Sequence, residues 1–271
     1  MNWILLVCLL FAHALHVDST TSRKIVKKPS GIVLDEGNFV FLKGAINRQV
    51  VSKFMNEFLR LDHRNVNYIF INSPGGSVDD GSKIVSLLSS MNNIVCIAER
   101  AYSMAFVIFQ ACNERVIMHH GSIMQHQMSY GVHDDKERVE SYVSHVSSIN
   151  RQLSKLQAKR IGVSVDYFKK KTLSDWWLYG ENAIDENCAD TISAVICTNK
   201  LIKMNYTEEK RNYKYVYSKC PLIMEHIDKI KTSNSSESDL PFFFSFEHEH
   251  ENARKYDLQY ISDKEGQSII L

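Results

Sequence analysis

The segment "ERAYSMAFVIFQAC", residues 99–112, sets Ser103 where a strand-like apolar run gives way to a helix that is apolar on almost every side. Two chemistries fit a serine at such a junction. Its hydroxyl can cap the helix by accepting from an unpaired N–H of the first turn. It can also serve as a nucleophile, because those same N–H groups carry partial positive charge and would stabilise an oxyanion formed beside it. The cap needs no further partner, whereas the nucleophile needs a base and a second oxyanion donor. "INSPGGS", residues 71–77, also follows an apolar strand and opens a helix, and its glycines let the backbone approach a ligand closely. Beside Ser103, the N–H groups of Gly76 and Met104 would form a pair of donors fixed in advance. His126 in "SIMQHQMSYG" ends a strand and reads either as a base or as a satisfied structural imidazole. Asp175 in "TLSDWWLYGENA" reads by itself as a helix cap.

The elements that must position these residues alternate between strand and helix. "NFVFLKG" is a short strand, Val50, Phe54, Phe58 and Leu61 recur at helical spacing, and "VNYIFIN" is a continuously apolar strand of the buried kind. Ile84, Leu87, Leu88 and Met91 mark the next helix, "NIVCIA" the next strand and "MAFVIFQAC" a helix inside the core. Two further short strands are expected around "RVIM" and "SIMQHQ". A long amphipathic helix follows, with Val139, Tyr142, Val143, Val146, Ile149, Leu153 and Leu156 on one stripe. This order predicts an α/β domain with largely parallel strands, whose sites form at the carboxyl ends of those strands. Residues 199–271 lack a sustained period and read as a separate, partly disordered C-terminal extension.

At 271 residues and 44% apolar content, the chain can bury a real core, and a formal charge of +1 gives no reason to expect nucleic acid as a partner. "NWILLVCLLFAHALHV" ends in Ala12-His13-Ala14, a small-x-small pattern that makes residues 1–17 a signal peptide and residues 18–37 a leader or linker. That reading sends the chain into the secretory pathway, lumenal or secreted. The basic, hydroxyl-rich "SRKIVKKPS" leaves open a two-part address for a plastid-type organelle reached through that route. Without Cys8, five cysteines remain, an odd number with no CxxC spacing, which excludes a complete intramolecular disulfide framework and gives no zinc motif. Cys96, Cys112, Cys188 and Cys197 lie in apolar stretches and read as small core residues. His119-His120 and "EHEHE" at 247–251 read as surface charge rather than as a metal site.

In order, "INSPGGSV", "AYSMAF", "IMQHQ" and "LSDWWLYGENAIDENCAD" resemble the successive motifs of the ClpP family of serine peptidases, over about residues 38–198. The resemblance implies a ClpP/crotonase-like fold of repeated β-β-α units with a projecting handle helix, here Asp134 to Ile161. It makes Ser103 the nucleophile, His126 the general base and later acid, and Asp175 the group that orients the imidazole, with Gly76 and Met104 as oxyanion donors. It further implies a homo-oligomeric ring acting on peptides or unfolded proteins. No cofactor or metal is expected in this chain; ATP would be used only by a partner AAA+ unfoldase, since no Walker-type glycine loop is present.

The sequence departs from the family pattern at several places. Ala105 and Phe106 follow Ser103-Met104 where a glycine is usual, Met128 replaces a proline after His126-Gln127, and Tyr102 stands where a small residue is common. Two other readings keep the fold and change the function. One is a non-catalytic ring or scaffold subunit; the other is a crotonase-type acyl-CoA enzyme, which shares the paired-amide hole but uses carboxylates. A serine–lysine mechanism finds no obvious lysine beside Ser103.

Overall fold

The computed structural model describes residues 31–210 and 212–231, together with the backbone strand 268–270. The N-terminal apolar run and the "EHEHE" segment lie outside the described residues. At the centre are four parallel strands, β2 (Phe39–Lys43), β3 (Asn67–Ser73), β4 (Ile94–Tyr102) and β5 (Glu114–Gln125). Strand β7 (Trp176–Tyr179) joins β5 antiparallel, and β8 (Thr191–Ile192) pairs with the other end of β5. The two strands expected around "RVIM" and "SIMQHQ" are thus one long strand. Ala98 pairs with Ile117 and Arg100 with Ser122, so residues 118–121 bulge between them. At Gly121 a side chain would meet the Ala98 carbonyl at 2.6 Å.

Alternation along the central strands divides their side chains between two cores. Val40, Leu42, Ile69, Ile71, Cys96, Ala98 and Ile117 pack with α1 (Arg48–Phe58), α2 (Val78–Leu88) and α3 (Met104–Gln110). Helix α3 is buried over its whole length, as its unbroken apolar sequence requires. Phe70, Val95, Ile97, Val116 and Met118 look the other way and are covered by Leu34, Val195, Leu201 and Cys220. Leu34 ends β1 (Ile32–Leu34), which pairs in parallel with β9 (Val195–Cys197). A 26-residue helix, α4 (Lys136–Ile161), ends at Gly162 in the left-handed conformation. Its buried residues are Val146, Ser154, Gln157, Ala158 and Ile161, so its first turns project while its last turns pack on the body. Helices α5 (Val165–Lys171) and α6 (Glu181–Asp185) flank β7.

Beyond Cys197, α7 (Asn199–Lys203) leads into an antiparallel sheet of β10 (Asn205–Lys210), β11 (Tyr213–Ser218) and β12 (His226–Lys231). Residues 199–231 therefore carry regular structure, where the sequence showed no sustained period. This region is bound to the body covalently. Cys197 is joined to Cys220, and Cys96 to Cys112, each pair with its Cα atoms 5.9 Å apart. Three of the four cysteines expected to be simple core residues are thus cross-linked, because distant stretches of chain meet in the fold. Among the described residues Cys188 stays free, buried, with its thiol pKa pushed up to about 12 by burial.

Candidate active site

Parallel strands bring their carboxyl ends to one edge of the sheet, and that geometry assembles the site. Strand β3 ends at Ser73 and delivers the Pro74-Gly75-Gly76 turn; β4 ends at Tyr102 and delivers Ser103; β5 ends at Gln125 and delivers His126. Antiparallel β7 starts at this same edge, with Asp175 immediately before it. All the residues singled out from the sequence therefore reach one place by topology alone.

Ser103 is 2% exposed and has φ 58° and ψ −121°, a backbone conformation that costs a non-glycine residue roughly 1–3 kcal/mol. Its side chain makes no capping bond to α3, although its carbonyl accepts from the Phe106 and Val107 N–H groups. The hydroxyl lies 2.9 Å from Nε2 of His126. Its own N–H donates to the Met124 carbonyl, which pins the turn to β5. Ser103 thus holds the N-terminal position of the helix, while its hydroxyl is committed to the imidazole.

His126 is held from behind by glutamines. Its N–H donates to Oε1 of Gln125 at 3.0 Å, and Nε2 of Gln125 donates to Oε1 of Gln157 on α4. Gln157 in turn donates to the Leu153 carbonyl. Both glutamines are buried, so this polar chain stays fully engaged without solvent. The sequence reading missed Gln125 and Gln157; a glutamine directly before a strand-end histidine was the available signal for the first, and no local pattern marks the second.

Asp175 is placed but not engaged. Gln125 pairs with Trp176 and Met124 with Trp177, and His126 and Asp175 are the next residues beyond the end of that ladder. The carboxylate is nevertheless exposed, and among the described residues it forms no hydrogen bond or ion pair. The structure therefore shows no hydrogen bond between Asp175 and the imidazole.

The glycine turn divides its work. Gly75 has φ +96°, and a Cβ there would lie 2.6 Å from the Ser103 Cβ and 3.0 Å from the Met104 nitrogen. Gly75 is therefore the residue that lets the turn close on Ser103, a role the sequence reading did not assign. Gly76, at φ +143°, forms a parallel bridge with Ile46 and leaves no room for a side chain against the Ile46 carbonyl. The Ile46 N–H donates to the Gly75 carbonyl, and the Ser77 N–H donates to the Ile46 carbonyl, which turns the Gly76 N–H away from Ile46. Among the described residues, neither that N–H nor the Met104 N–H at the start of α3 has an acceptor. The Ser73 hydroxyl secures the turn, donating to the Gly44 carbonyl and accepting from the Gly75 N–H.

A cavity of about 440 Å³ opens beside the imidazole, lined by His126 and Met128 and by apolar Val107, Leu153, Phe168 and Leu173. At the far end of α3, fully buried Arg115 donates to both carboxylate oxygens of Asp190 and to Oε1 of Gln110. Burial pushes the Asp190 carboxyl up, but hydrogen bonds and charge from Arg115, with Arg160 adding to them, hold it below its usual range. This network fixes the base of the helix that presents Ser103. No group of three or more His, Cys, Asp or Glu among the described residues is placed to hold a metal ion.

A sequence model of one protein family, Clp protease, matches residues 23–195, more than half of the chain. The chain belongs to the Clp protease family. The mixed α/β architecture is that of a Clp protease domain, and the matched span contains Gly76, Ser103, Met104, His126 and Asp175. The departures from the family pattern have local accommodations. Tyr102 packs edge-on against Trp177 with ring centroids 4.9 Å apart, and Ala105 and Phe106 are fully buried in the core of the helix layer.

Proposed function

We propose that this member of the Clp protease family is a serine endopeptidase that hydrolyses peptide bonds of peptides or unfolded proteins. Support comes above all from one observation: a buried serine with a strained backbone gives up its capping bond and lies 2.9 Å from a histidine nitrogen. In the proposed reaction, His126 Nε2 takes the hydroxyl proton as Ser103 Oγ attacks the carbonyl carbon. The resulting oxyanion accepts from the Gly76 and Met104 N–H groups. His126 then returns the proton to the leaving amine, and water repeats the sequence to release the acid product. Asp175, which immediately precedes β7 as His126 immediately follows β5, orients the imidazole and stabilises its cation during turnover.

The proposed setting is a homo-oligomeric ring joined through the projecting turns of α4, with ATP consumed only by a separate unfoldase. Entry into the secretory pathway is supported by two disulfides, which persist in oxidising compartments. The exposed Asp175 carboxylate is the observation that favours the alternative of a non-catalytic ring subunit. A fluorophosphonate probe separates the two: the full chain is expected to be labelled, and Ser103→Ala to abolish labelling. A properly assembled wild-type protein that stays unlabelled would favour the scaffold.

A further inference from the structure

Three residues beyond His126, the chain forms a short strand, β6 (Ser129–Gly131), all of it exposed. Its partner is β13 (Ser268–Ile270), paired antiparallel with Ser268 opposite Gly131, Ile269 opposite Tyr130 and Ile270 opposite Ser129. Among the described residues, β13 is the sole partner of β6 in a two-stranded sheet. It also approaches α2, the helix that follows the Gly75-Gly76 turn. The segment thus touches both the strand that follows His126 and the helix that follows the glycine turn.

Because the pairing is antiparallel, passage from Ser268 to Ile270 corresponds to passage from Gly131 to Ser129, toward His126. A peptide bound in this sense leads with its carboxyl-terminal side, so its paired residues precede the bond that would be cut. A lone strand edge satisfies the main chain of any extended segment, and side-chain selection falls to alternate positions. The sequence offered here is "SII", in which two of three residues are apolar and β-branched.

Resting on the peptidase reading above, we infer that Ser268–Ile270 is an intramolecular competitor that occupies the peptide-binding edge and must be displaced by an extended substrate rich in apolar, β-branched residues. The competitor is tethered, so it meets β6 at the high effective concentration typical of linked ligands, and only well-matched or locally concentrated peptides displace it.

The test uses the full chain carrying Ile269→Pro and Ile270→Pro together. Consecutive N–H groups of a strand point to opposite edges, so the pair removes whichever one faces β6. Relative to wild type, the apparent KM for an apolar reporter peptide should fall about tenfold with kcat unchanged. A synthetic peptide of residues 265–271 should then inhibit the proline variant competitively, while its scrambled counterpart should not. An unchanged KM, with no inhibition by the peptide, overturns the inference and leaves the peptidase reading intact. A readout independent of catalysis is fluorescence anisotropy of that peptide, labelled, on chains that also carry Ser103→Ala. Tighter binding to the proline variant than to the chain with its isoleucines supports the competitor, and equal or absent binding overturns it, whether or not either chain cleaves anything.

Discussion

Two serines stand at neighbouring strand-to-helix junctions on the same edge of the sheet, and their backbones are close to mirror images. Ser77 opens α2 with φ −56° and ψ 121°, and its hydroxyl accepts from the Asp80 N–H at 3.2 Å. Ser103 opens α3 with φ 58° and ψ −121°, makes no such bond, and presents its hydroxyl to His126. Residue type and position in the motif are the same at both places. What separates a cap from a candidate nucleophile is the hand of the backbone, which swings the hydroxyl from its own helix toward the neighbouring strand. Strain at Ser103 is sustained by the buried helix it opens and by the anchor of its N–H on Met124.

The sharpest way to break this contrast is Ser103→Gly. Glycine adopts a positive φ freely, so the variant should be at least as stable as wild type while peptide hydrolysis falls by about 10³-fold or more. Thermal unfolding and reporter-peptide cleavage check the two halves separately. Loss of stability without loss of hydrolysis would mean that the strained serine is structural after all.

Asp175→Asn comes next in size. If the carboxylate swings onto the imidazole during turnover, kcat should fall by about 10²- to 10⁴-fold with little change in KM, as expected for an orienting group. An undiminished kcat would leave Ser103 and His126 as a dyad and retire Asp175 from the mechanism. Because the side chain is exposed and forms no hydrogen bond or ion pair among the described residues, its replacement should hardly alter the melting temperature.

The two glycines of the turn give a smaller and more selective pair of effects. Ala at 75 would press its methyl group on the Ser103 Cβ and the Met104 nitrogen, displacing the proposed nucleophile and donor together. A shift of about 1 Å at such a site costs about 10²-fold in rate, so Gly75→Ala should lower kcat. Ala at 76 instead collides with the Ile46 backbone, so Gly76→Ala should act first on stability, read as a lower melting temperature.

Much of this was legible from residue patterns. Apolar runs and helical spacing located β2, β3, β4, α1, α2 and α3, and parallel topology then obliged Gly76, Ser103 and His126 to share an edge. What stayed hidden depends on contacts distant in the chain or on backbone sign. Cys96 and Cys112 look like any small apolar residues until β4 and the end of α3 are brought together. Strand β11 alternates, with Tyr213, Tyr215 and Tyr217 on one face, but β10 and β12 carry polar or charged residues on both faces, so no period is sustained through the region. The pairing of Ile269 with Tyr130 spans more than half of the chain and leaves no local trace. Nor does any residue pattern announce that Ser103 would take a positive φ, since serine rarely does.

The smallest predicted effect tests the other half of the contrast. Ser77→Ala removes an ordinary cap: the hydroxyl that satisfies the Asp80 N–H is lost, and that N–H must turn to water. Such a loss costs about 1 kcal/mol, less if Asp79 and Asp80 in the first turn of α2 continue to stabilise its positive end. Ser77 nevertheless sits one residue from Gly76, so a drop in stability with kcat held near wild type would show that the cap and the proposed oxyanion donor are separable. If kcat fell along with stability, the cap would be what fixes the Gly76 N–H. The two serines would then be coupled parts of one site, with Ser77 a positioning residue for the oxyanion that Ser103 generates.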